Sequence, residues 1–141
     1  MFRSIEDFRQ SWGYESATTL KVLEAIPDAA LATAITAQHR DLNRLAWHLI
    51  DTLVEMPARM GLKVHGHPFM KALDAEPVPY APPPSSAQAR QAYADASESL
   101  MKQLASWTDA TLLQEDDMYG MTWKRGYTLT ALVHHQAHHR G

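Results

Sequence analysis

The sequence predicts an all-α protein, an up-down-down-up four-helix bundle with a long crossover between helices two and three. Three observations carry this expectation. Apolar residues recur at three- and four-residue steps through four long segments. Capping residues, glycine and proline punctuate the segment ends. One proline-rich stretch, Leu62 to Pro84, has no helical period and is long enough to travel the height of a bundle.

Helix one starts after Ser4, a side chain suited to capping, with Asp7 three residues on as a weaker partner than the usual Glu. Ile5, Phe8, Trp12, Leu20, Leu23 and Ile26 form its apolar stripe, interrupted at Glu15–Thr19. Pro27-Asp28 ends it, and Ala29–Ala37 reads as a short connection with about one helical turn. Helix two is expected from Gln38 to Met60, stopping at Gly61. Its stripe is Leu42, Leu45, Leu49, Leu53 and Met56, with Ala46 and Ile50 beside it, and Pro57 is expected to kink or shorten it. His48 flanks that stripe.

The crossover carries His65 and His67 and five prolines from Pro77 to Pro84, and its histidines read as loop residues outside any site. Helix three runs from Ser85-Ser86 to about Trp107, with Ala89, Tyr93, Ala96, Leu100, Leu104 and Trp107 in register. Thr108-Asp109 caps a short turn through Leu113, and a loop or short hairpin follows up to Gly126. Helix four begins near Thr128.

Helix four carries four of the chain's eight histidines within six positions, His134, His135, His138 and His139. Residues four apart share a helix face, so His134/His138 and His135/His139 are two stacked pairs, each able to share one metal ion. At about 100° per residue, Leu129, Leu132, Val133 and Gln136 define the core side. His135 and His139 flank it, whereas His134 and His138 face away. His48 flanks the stripe of helix two at a similar angle, so a third imidazole stands at a core edge. Three imidazoles with open positions are the pattern of a catalytic metal site, and all-nitrogen ligation suits Zn²⁺, Ni²⁺, Fe²⁺ or Co²⁺ alike. Spacing alone leaves open a hydrogen-bonded His48 and a tag-like histidine cluster.

Composition narrows the function. With 141 residues, 45% apolar and 21% charged, the chain reads as one globular domain over 1–141. A net charge of −3 offers no electrostatic footprint for nucleic acid. The absence of cysteine excludes disulfides, thiolate ligands and a protein thiol nucleophile, and suits a cytoplasmic setting. No apolar run is long enough to span a membrane, and Met1–Arg9 lacks a signal-peptide pattern.

The closing segment His135-Gln136-Ala137-His138-His139-Arg140-Gly141 resembles the H-x-x-H-H-R-G signature of the DinB/YfiT-like family of metal-dependent enzymes. The resemblance covers essentially the whole chain, with Leu45-Ala46-Trp47-His48-Leu49 supplying the helix-two histidine. It implies an up-down-down-up bundle, a homodimer, and a divalent metal held by His48, His135 and His139. Some members of that family are S-transferases that use low-molecular-weight bacterial thiols, one is a mycothiol-dependent maleylpyruvate isomerase, and many have no assigned activity. The implied reaction is attack of a metal-activated thiolate on a small-molecule electrophile, or a related hydrolysis. The alternative is a non-catalytic metal-binding or dimerisation bundle. Family members continue past the Arg-Gly, so helix four is expected to extend beyond Gly141. Tyr119 and Trp123 are candidates for the substrate mouth, and Asp41 and Asp51 for orienting a ligand histidine. Arg140 is a candidate for a substrate anion or a carboxylate of a partner subunit, or else an ordinary surface cation. His39 reads as a first-turn surface residue.

Overall fold

A computed structural model describes residues 1–34, 36–66 and 85–141. The four helices are α1 (Ile5–Ala25), α2 (Leu42–Arg59), α3 (Ser86–Gln103) and α4 (Arg125–Arg140), with an antiparallel hairpin, β1 (Glu115–Met118) and β2 (Met121–Lys124), before α4. The long-range hydrogen bonds fix the helix directions. Trp12 Nε1 donates to Ser97 and Ile5 N to Asp109, while Asp28 accepts from Ser86, so α3 runs antiparallel to α1. Phe2 pairs with Gly126 and Thr130 while Arg140 reaches Glu15, so α4 runs parallel to α1. Gln136 bonds Leu49 and Thr52, and Tyr119 bonds Glu55, so α2 opposes α4. The result is the up-down-down-up order. Two consecutive parallel helices, α2 and α3, require a long crossover, most of which lies outside the described residues, as does His67.

Each of α1 and α2 packs against both α3 and α4. The shared core holds Phe8, Trp12, Ile50, Leu53, Tyr93, Leu100, Leu129 and Leu132, all essentially inaccessible to solvent. Ser4 caps α1 by accepting from Glu6 N and Asp7 N. Ser85 likewise accepts from Gln88 N at the start of α3.

Several boundaries differ from the sequence expectation. The polar interruption in helix one does not break it: α1 is continuous, with Glu15 and Thr19 buried in its stripe. Helix two starts at Leu42 rather than Gln38, because the Asp41 carboxylate accepts from Arg44 N and caps it there. Pro57 sits inside the last turn, and the helix continues to Arg59. Leu42 and Leu45, expected in the core, are only half-buried. Helix three stops at Gln103, followed by a 3-10 turn over Leu104–Ser106. Trp107 is already extended and lies under the Arg125 guanidinium, 4.9 Å from its ring centre. Helix four begins three residues earlier than expected, where Asp116 forms a two-pronged ion pair with Arg125.

Two glycines should respond to alanine with opposite signs. A Cβ on Gly126 would stand 2.2 Å from the Phe2 carbonyl oxygen, which is backbone and cannot swing away. Gly126→Ala should therefore lower stability by about 1–3 kcal/mol in urea denaturation. Gly13, mid-helix in α1 with nothing within 4 Å of such a Cβ, should gain about 0.5–1 kcal/mol as Gly13→Ala.

Candidate metal centre

Helix α4 presents alternate sides of its histidine run to different surroundings. His134 and His138 are exposed, His135 and His139 half-buried, and Gln136 between them fully buried. Gln136 Nε2 donates to the Leu49 carbonyl and to Thr52 Oγ1, each at 3.0 Å, which locks the α4 turn against the α2 turn that bears His48. Three imidazoles meet there. Ring centres are 4.9 Å apart for His48–His135, 4.5 Å for His48–His139 and 4.4 Å for His135–His139. One ring nitrogen from each lies within 4.8 Å of the others, close enough to share one metal ion.

Burial decides the charge state of this cluster. It pushes His48 and His135 down to about 4, and the positive charges of Arg40 and neighbouring histidines act in the same direction. His139 is also lowered, again chiefly by burial. Neutral imidazoles with free lone pairs are the form that binds metal. Among the described residues the buried His135 Nδ1 has no hydrogen-bond partner, which leaves bonding capacity at that ring. The donor set therefore fits a divalent ion.

Two open clefts border the cluster. One, of about 470 Å³, is lined by Thr33, His39, Arg40, Leu42, Leu45, His48 and His139. The other, of about 400 Å³, is lined by His48, His135, Asp51, Glu55, Met56, Tyr119, Trp123 and Ala131. Tyr119 and Trp123, the residues expected at a substrate mouth, line this second cleft on the His135 side. Tyr119 has φ 60 and Gly120 φ 80, the two positive angles of a type I′ hairpin loop. A tyrosine in that conformation costs about 1 kcal/mol. Its contacts offset the strain: the hydroxyl donates to Glu55 Oε2 at 2.5 Å, and the Arg59 guanidinium lies 4.2 Å above the ring. Burial and Glu55 push the phenol up to about 12, so it remains a donor.

Other candidates are placed differently from expectation. Arg140 forms a largely buried ion pair with Glu15 of the same chain and also donates to Thr19. Asp41 caps α2 instead of orienting a histidine, whereas Asp51 lines the second cleft. His39 precedes α2, with Nδ1 2.5 Å from Thr36 Oγ1, and lines the first cleft. His65 stays outside the site, its backbone N–H bonded to Ser99. Sequence reasoning missed Glu15, Arg40 and Glu55. The polar gap in the helix-one stripe was the available signal for Glu15; exposed charges at the ends of α2 offered none for the other two.

The model of the DinB family matches residues 1–141. The uncharacterised protein YrdA of Bacillus subtilis (strain 168) is 32% identical over 143 aligned positions, covering all of this chain and 80% of YrdA. A crystal structure of a DinB-like protein from Bacillus cereus ATCC 10987 superposes with a TM-score of 0.88 at 31% identity, covering all of this chain and 89% of that one.

Two measurements test the electrostatics. A histidine depressed in the fold favours the folded state fully above its unfolded value of 6.5, and that contribution is lost as pH falls toward its folded value. The melting temperature of metal-free protein should therefore fall between pH 6.5 and about 4, and His48→Gln/His135→Gln should flatten that fall. Arg140→Ala strands a buried Glu15 carboxylate and should cost about 3–5 kcal/mol, whereas Arg140→Met/Glu15→Met should recover most of the loss in denaturant titrations.

Proposed function

The chain belongs to the DinB family, and from that premise we propose that it is a divalent-metal-dependent enzyme, a thiol-cofactor-dependent S-transferase or a related hydrolase. One observation carries the reading: three neutral imidazoles from two helices converge between two open clefts. His48, His135 and His139 would hold the ion. When bound, it supplies Lewis acidity, which favours the deprotonated form of a thiol or water at its remaining positions. A chain without cysteine has no thiol nucleophile of its own, which is the reason to assign that role to an external thiol.

The remaining work falls to this chain's side chains. Gln136 and Arg140 hold the two α4 imidazoles in register with His48. Met56, Trp123 and Ala131 offer an apolar wall to a small electrophile on the His135 side. Glu55 and Asp51 are the carboxylates of that cleft, suited to receive a proton as the nucleophile forms. Tyr119 and Arg59 orient Glu55 by donating to its two oxygens. No helix among the described residues is long and apolar enough to cross a membrane, in keeping with small-molecule chemistry in water.

Elemental analysis of untagged protein as isolated, beside His48→Ala, is the test. Near-stoichiometric metal that falls sharply in the variant is expected. Metal-loaded protein should then accelerate thiol addition to an electrophile above the metal-free rate. Metal without any such rate would leave a metal-binding bundle, and no metal in either protein would remove the centre altogether.

A further inference from the structure

The two clefts beside the histidines carry opposite charge. On the His135 side, Asp51 and Glu55 face the cavity, and Glu55 already has both oxygens engaged by Tyr119 and Arg59. On the His139 side, the charged group is Arg40. Three other arginines of the bundle are closed by a carboxylate of this chain: Arg59 by Glu55, Arg125 by Asp116 and Arg140 by Glu15. Arg40 has no ion-pair partner among the described residues, although its charge bears on all three imidazoles. A guanidinium facing a site that takes a divalent cation is a repulsive arrangement. An anion between them turns it into an attractive one, and a planar guanidinium fits a carboxylate with two parallel hydrogen bonds. Thr33 and His39 in the same cleft add polar groups, while Leu42 and Leu45, half-buried here instead of packed in the core, give a short apolar floor.

We propose that Arg40 is a specificity residue that binds the carboxylate of an anionic thiol in the cleft between itself, His48 and His139, leaving the opposite cleft to the neutral reactant. This rests on the thiol-using metal centre proposed above. The thiol sulfur then lies toward the histidines and its carboxylate toward Arg40, so the two reactants approach the centre from different sides.

The test compares two thiols that differ in one group, 3-mercaptopropionate and 2-mercaptoethanol, by calorimetric titration of zinc-loaded protein. Wild type should favour the carboxylate-bearing thiol by about tenfold, the factor expected for one charged hydrogen-bonded contact. Arg40→Gln should bring that ratio near one with zinc content unchanged. Arg44→Gln, which removes an equal charge from the same helix end outside the cleft, should keep the ratio. A preference that survives Arg40→Gln would show the carboxylate on the metal and overturn the proposal. An equal loss in Arg44→Gln would show diffuse attraction and also overturn it. If the protein takes up no metal, the centre itself fails. Chemical-shift titration of metal-free protein with propionate then decides this inference separately: Arg40-dependent binding sustains it, and none sinks it.

Discussion

A carboxylate inside the apolar stripe of a helix must be paired or it destabilises the fold, and Glu15 is paired by Arg140. That ion pair constrains much of the structure. It draws the turn of α4 just beyond His139 onto α1. Four residues before Arg140, Gln136 performs the matching task toward α2. With α1 holding one side of α4 and α2 the other, its rotation and axial position are set, and His135 and His139 face His48.

The same packing sets the chemistry. Removing the imidazoles partly from water disfavours their charged forms, and Arg40 and the neighbouring histidines push the same way, so they stand neutral at physiological pH. Three uncharged donors impose little electrostatic preference of their own; the surroundings supply it. Arg40 lies to one side, and Asp51 and Glu55 to the other. The hairpin contributes to the acidic side at the cost of a strained tyrosine, held by Glu55 and Arg59.

Much of this was legible in advance, and particular residues show why the rest was not. Ser4 and Ser85 announce helix starts, because a hydroxyl that accepts a backbone N–H acts within one turn. His135 and His139 could be separated from His134 and His138 because a helix repeats its faces every few residues. Leu42 and Leu45 misled, since apolar character does not distinguish a core wall from a cleft wall. Glu15–Thr19 read as a break because its partner lies 125 residues away. Arg140 was ambiguous for the same reason.

By itself, then, the sequence determined the helical class, the approximate segment limits and which face of α4 turns inward. These follow from local geometry, the period of the helix and the reach of a capping side chain. The tertiary structure alone decided that His48 meets His135 and His139 within one ion's reach, that Arg140 closes on Glu15, and that clefts of opposite charge flank the centre. Those outcomes depend on how far each helix is rotated and shifted along its neighbour. Interdigitating side chains across the bundle set that rotation and shift, and no local pattern encodes them.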